Sequence, residues 1–209
     1  MGPVPRGLHD QRGGVAAPIV CDVTRADQVS AAVDATVTRF GTVDVLVNNA
    51  QDFSFGPVLA LDPAGLERSW ASGLLGTLHM MRTCHPHLRD GGAIVNVGSG
   101  VAHAPVPGVG GYAAVKAAIT TLSRTAAVEF AGDGIRVNTI VPFALTPPVE
   151  ASFEANPGSA DAAVANVPLG RIGDPHRDIG RAVAFLCGPD AAYITGTVLT
   201  VDGGETHLR

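Results

Sequence analysis

Charge is scarce in this sequence: Asp, Glu, Lys and Arg make up only 16% of 209 residues. The net charge of −5 is spread along the chain with no basic run, which argues against nucleic acid or an anionic membrane surface as a partner. Cysteine is nearly absent too. Cys21, Cys84 and Cys187 are odd in number and scattered, which fits neither a disulfide framework nor metal-ligand spacing and points to free thiols in a reducing cytoplasm. No run of 18 apolar residues and no charged-then-apolar leader is present, so neither a membrane span nor a secretion signal is expected. Yet 46% of the residues are hydrophobic, enough for one domain, residues 1–209, with a sizeable core.

The chain is organised around Ala93 to Thr120, AIVNVGSGVAHAPVPGVGGYAAVKAAIT. Ile94, Val95 and Val97 read as a buried parallel strand, and Ser99 lies at its carboxyl end, where open α/β sheets bind ligands. Tyr112 and Lys116, four apart at the start of an alanine-rich helix, share one helix face. The thirteen residues from Ser99 to Tyr112 allow a Pro/Gly-rich loop to fold the helix start back over the strand end. A phenol titrates near ~10, and an ammonium a few ångströms away lowers that by roughly 1–3 pH units. Lysine is thereby expected to bring Tyr112 towards proton-transfer range, with Ser99 holding a substrate oxygen.

Four further features occur in order: VNNA at Val47 to Ala50, the serine thirteen before YxxxK, GIRVNTIVP at Gly134 to Pro142, and YITGTVLTVDGG at Tyr193 to Gly204. Together they resemble the short-chain dehydrogenase/reductase family from about Val15 to Gly204. The resemblance implies an α/β fold with a Rossmann-like doubly wound parallel sheet. It also implies NAD- or NADP-dependent interconversion of an alcohol and a carbonyl, with Tyr112 as general acid/base and Ser99 orienting the substrate. Lys116 would also bind the nicotinamide ribose. Asp22 and Val23 would lie at the adenine ring, Asn49 and Ala50 under the cofactor, and Pro142 and Thr146 beside the nicotinamide carboxamide. From the residues alone, Asn48 and Asn49 serve equally as pins for neighbouring backbone.

The chain departs from the family pattern at four places. Relatives carry a strand, a glycine-rich turn, a helix and a second strand before the segment Ala17 to Val23. Here only residues 1–16 precede it, read as a loop or frayed helix. The chain therefore resembles an N-terminally truncated member whose sheet is incomplete in its N-terminal half. The backbone N–H groups that hold pyrophosphate are missing with that segment, so impaired cofactor binding is expected. GVGG at Gly108 to Gly111 follows no strand and reads as a flexible turn. Ala17 to Val23 is expected to form a strand beside Val43 to Val47, giving a five-strand core. Gln51 replaces the glycine of NNAG, Gly73 replaces a relay asparagine, and Phe143 replaces the glycine after Pro142, where a phenyl ring is expected to close the pocket.

Helices are expected from Thr24 to Phe40, with Asp27 as capping partner, and from Asp62 to Leu88. The second carries the apolar stripe Leu66, Trp70, Leu74, Leu78 and Met81, read as core or subunit contact. Strands follow at Val43 to Asn49, Gly134 to Val141 and Val198 to Val201. His79, His85 and His87 are read as surface residues, because Pro86 breaks helical spacing and no acid lies nearby in sequence; His103 is placed for substrate contact. Residues 149–167, with the turn Asn156-Pro157-Gly158, correspond to the family's mobile substrate lid, and a homodimer or homotetramer is implied. Two other classes fit the same residues: a redox-neutral proton-transfer enzyme of isomerase or lyase type using Ser99, Tyr112 and Lys116, and a non-catalytic subunit.

Overall fold

A computed structural model describes residues 14–88, 90–104 and 106–206; the expected loop or frayed helix over 1–16 lies outside these up to residue 13. The elements in chain order are α1 (Ala26–Phe40), β1 (Val45–Asn48), α2 (Pro63–Trp70), a π-helical turn (Ala71–Leu75), α3 (Gly76–Cys84), β2 (Ala93–Val97), α4 (Gly110–Glu129), β3 (Arg136–Pro142), α5 (Pro147–Ala155), α6 (Ser159–Ala165), α7 (Arg181–Cys187) and β4 (Val198–Val201). Among the described residues the sheet has four strands in the order β1-β2-β3-β4, every neighbouring pair parallel.

Alternation along the central strands sorts the core into two layers. Ile94 and Val137 face Val33 of α1, Met81 and Cys84 of α3, and Ala126 and Ala127 of α4. Val95 and Ile140 face Leu186 of α7, with Val183, Leu199 and Val201 beside them. Helices thus cover both faces, as the Rossmann-like reading expects. Both central strands are buried on two sides, which is why they read as continuous apolar runs.

The expected five-strand core is not formed. Residues 14–22 have no regular structure, and β1 is an edge strand among the described residues. The segment is held by side chains instead of a ladder. The Asp22 carboxylate accepts from the backbone N–H (2.9 Å) and hydroxyl (2.8 Å) of Thr24, a turn that competes with strand geometry. Those bonds hold the Asp22 carboxyl below its usual range. The turn also moves the start of α1 to Ala26, and Asp27 pairs with Arg25 at 3.2 Å instead of completing a capping box with Thr24.

The long helix differs from its sequence pattern in a second way. Asp62 caps α2 by accepting from Ala64 and Gly65 N–H, as the Asp62 start requires. However, the buried face is the small-residue one: Gly65, Ser69, Ser72, Gly73, Gly76 and Thr77, joined by Met81 and Cys84. Leu66, Leu74 and Leu78 are half-buried, while Trp70 and Leu75 are 40% exposed. Of its glycines, Gly73 abuts Val115 of α4, Gly65 abuts Ser54 and Gly76 abuts Val23, while Met81 enters the core and Trp70 and Leu75 face outward. No helix among the described residues is long and apolar enough to cross a membrane.

Candidate functional site

β2 ends at Val97, and Gly98 continues the ladder by donating its N–H to Ile140 O at 2.8 Å. A Cβ at Gly98 would stand 2.8 Å from the Thr139 methyl, so only glycine lets the chain pass this closely over β3. Ser99 is extended (φ −159°, ψ 147°) and opens the short turn Gly100–Ala102. This turn and the loop after it return the chain to α4, with Tyr112 and Lys116 in its first two turns. The Ser99 side chain lies close enough to the Tyr112 phenol to favour its ionised form. Lys116 is buried, donates from Nζ to Val97 O at 2.7 Å, and lies 5.6 Å from the centre of the Tyr112 ring. The three candidate catalytic side chains therefore meet at the carboxyl end of β2.

Their electrostatics differ from the sequence expectation. Burial raises the Tyr112 pKa above the ordinary phenol value, and the Ser99 hydrogen bond offsets only part of that rise. Lys116 makes its hydrogen bond to the Val97 carbonyl and not to the phenol, so burial sets the net direction of the Tyr112 shift. Burial acts on the lysine as well, pulling its pKa down from 10.5 to about 8. Near neutrality the pair is a neutral phenol beside a mostly protonated, poorly solvated amine.

The expected cofactor residues form two groups. Val23, Asn49 and Ala50 line one groove together with Val47, Asn48, Gly76, Thr77 and Met80. Gly76 is needed there, since a Cβ would stand 2.9 Å from a Val23 methyl. Asn48 acts structurally, its Nδ2 donating to Asn96 Oδ1 at 2.8 Å while Asn96 donates to Ser123 Oγ at 2.8 Å. Asp22 adjoins the groove through Val23, but its carboxylate is committed to Thr24. Pro142 ends β3, and Thr146 precedes α5 in extended conformation, its N–H bonded to Ala144 O. Phe143 does not close the Ser99 site. Its N–H donates to Val201 O and its carbonyl accepts from Gly173, and it lines a separate cleft with Leu169, Arg171 and Asp178.

Sequence reasoning missed Phe53 and Phe55, which meet the Tyr112 ring edge-on at centroid distances of 6.1 and 5.9 Å. They are tilted together at 4.9 Å and remain 47% and 57% exposed. The Gly56 N–H anchors this loop to Gly108 O at 2.7 Å, so the glycines before Tyr112 have a second role as its mooring. The FSF spacing in a chain with seven phenylalanines was the available signal. His103 is exposed at the end of the Gly100–Ala102 turn. His85 pairs with Asp133 at 3.0 Å and stacks edge-on against Phe130, and His79 Nδ1 lies 3.3 Å from Val23 O.

A doubly wound parallel sheet with Ser, Tyr and Lys at the end of a central strand defines a Rossmann-like protein with a candidate proton-transfer centre. A family model described as enoyl-(acyl carrier protein) reductase matches residues 6–206. The chain is 38% identical over 193 residues to the 12alpha-hydroxysteroid dehydrogenase of a Clostridium species, covering 90% of this chain and 74% of that protein. Two solved structures superpose closely. The gluconate 5-dehydrogenase of Burkholderia cenocepacia, in complex with NADP and tartrate, gives a TM-score of 0.89 at 28% identity, covering 96% of this chain and 79% of that one. An NAD+-bound xylitol dehydrogenase gives 0.85 at 31%, covering 93% and 81%. The chain belongs to the short-chain dehydrogenase/reductase family of oxidoreductases.

Proposed function

We propose that this protein interconverts an alcohol and a carbonyl with NAD or NADP, using Tyr112 as the general acid/base. The observation that carries the reading is the meeting of Ser99, Tyr112 and Lys116 beyond β2, with Lys116 fixed on Val97 O at 2.7 Å. When bound, the nicotinamide supplies or accepts the hydride. In the reducing direction the neutral Tyr112 phenol donates its proton to the substrate oxygen, which Ser99 holds by a hydrogen bond. The Lys116 ammonium favours the phenolate left behind. In the oxidising direction the proton returns to Tyr112 from the alcohol.

The residues present fit two parts of the dinucleotide: a buried cation beside the tyrosine for the nicotinamide half, and the groove formed by Val23, Asn49 and Ala50 for the adenosine half. Among the described residues no glycine-rich turn joins a strand to a helix N-terminus ahead of α1. Cofactor affinity in this reading rests on Lys116 and the groove. On the substrate side, Phe53 and Phe55 extend the Tyr112 surface as an apolar wall. Together with the hydroxysteroid activity named for one relative, the wall supports a ring-bearing secondary alcohol or ketone as substrate, under the 149–167 segment as lid. The outward apolar face of Leu66, Trp70 and Leu75 supports a homodimer or homotetramer, and the free thiols suit the cytoplasm.

The test is titration with NADH and NADPH by nicotinamide fluorescence, followed by turnover of cyclic ketones by the wild type and Tyr112→Phe. Binding that survives in Tyr112→Phe, with kcat reduced about 10²–10⁴-fold, is expected. Equal turnover by the variant would remove Tyr112 from the mechanism.

A further inference from the structure

Gln51 is the next residue after the groove-lining Ala50, and both polar atoms of its amide, Oε1 and Nε2, are shut off from solvent with no partner among the described residues. A buried amide with an unmet donor and an unmet acceptor is costly, and folded proteins keep few such groups. The fold has also made room for it. A Cβ on Gly73 would stand 3.0 Å from Gln51 Cδ and Nε2 and 2.7 Å from a methyl of Val115. Gly73 sits in the π-helical turn between α2 and α3, and π-turns concentrate at functional sites. The amide is thus lodged between that turn and the stretch of α4 that carries Tyr112 and Lys116, with Val115 immediately before the lysine. The neighbouring Asp52 is pinned by its N–H donating to Ser72 Oγ at 2.9 Å, which holds the chain on the carboxyl side of Gln51.

We propose that Gln51 is a cofactor-binding residue whose amide takes a sugar diol of the dinucleotide, with Gly73 present to make room for it. This rests on the reading of the chain as a nicotinamide-dependent oxidoreductase. The chemistry favours a diol. Nε2 donates hydrogen atoms and Oε1 accepts one, which suits a pair of hydroxyls that each accept and donate. The departures at positions 51 and 73 are then one adaptation: the amide enters from the β1 end, and the helix yields its side chain to admit it.

The experiment compares wild type, Gln51→Met, Gln51→Asn and Lys116→Ala for NADH and NADPH affinity by fluorescence titration, and for the Tm of the nucleotide-free protein. Methionine fills the same volume without polar atoms. Gln51→Met is expected to raise the nucleotide-free Tm by roughly 2–8 °C while binding nucleotide about tenfold more weakly. Gln51→Asn keeps the amide but draws it back one methylene, so weaker binding is expected there too, guarding against a methionine variant that merely misfolds. Wild-type affinity in both Gln51 variants, with binding lost in Lys116→Ala, overturns the inference and leaves the oxidoreductase reading standing. No binding of either nucleotide by the wild type overturns both.

Discussion

At the residue scale, Lys116 links catalysis to stability. Its pKa of about 8 in the folded protein against 10.5 ordinarily means that folding disfavours the charged form. The stability contribution is complete above about 10.5 and is lost as pH falls through about 8, a difference on the order of 3 kcal/mol. Denaturant unfolding of wild type and Lys116→Met is therefore expected to show a rise in stability from pH 8 to 10.5 in the wild type alone. Carbonyl reduction should change in the opposite sense, kcat falling as pH rises through about 8 and the charge that steadies the Tyr112 phenolate disappears; a kcat–pH profile at saturating nucleotide checks this. Phe53→Ala and Phe55→Ala are expected to raise KM for cyclic ketones about fivefold, from losing apolar and edge-on aromatic contact worth ~1 kcal/mol, with little change for small aliphatic ketones. The catalytic trio was legible because spacing alone puts Tyr112 and Lys116 on one helix face and Ser99 at a strand end. The direction of the tyrosine's titration was not, because it depends on burial and on which acceptor the lysine meets.

At the scale of elements, the sequence revealed what periodicity controls and misled where a side chain competes with the backbone. β2, β3 and β4 fall where their apolar runs lie. Ala17 to Val23 has the composition of a strand, yet its last residues are turned by Asp22 and Thr24 and it finds no ladder. The helix ending at Cys84 reads as a leucine-striped core or subunit contact, but close approach of Ser54, Val115 of α4 and Val23 selects glycine at positions 65, 73 and 76 of its inner face. The same inner face docks the residues just before α1, since Val23 rests on Gly76 and its carbonyl lies near His79. Gly76→Ala puts a methyl 2.9 Å from Val23. Limited trypsinolysis at Arg25 is expected to quicken in this variant, with the remaining core cut at the wild-type rate.

At the scale of the whole molecule, Leu66, Trp70 and Leu75 leave an apolar surface pointing outward from the sheet, and large apolar patches mark association sites. Trp70→Glu is expected to shift the protein to a smaller assembly in light scattering after size-exclusion chromatography, with the far-UV circular dichroism unchanged. The parallel sheet bears on the clock of synthesis as well. Val45 pairs with Ala93, so a chain emerging at ~5–20 residues per second leaves β1 without its neighbour for roughly 2–10 s. Through that interval Val45, Leu46 and Val47 wait together as an unprotected apolar edge. Yield in a cell is thus set partly by how well chaperones shelter the first strand while the second is still being made.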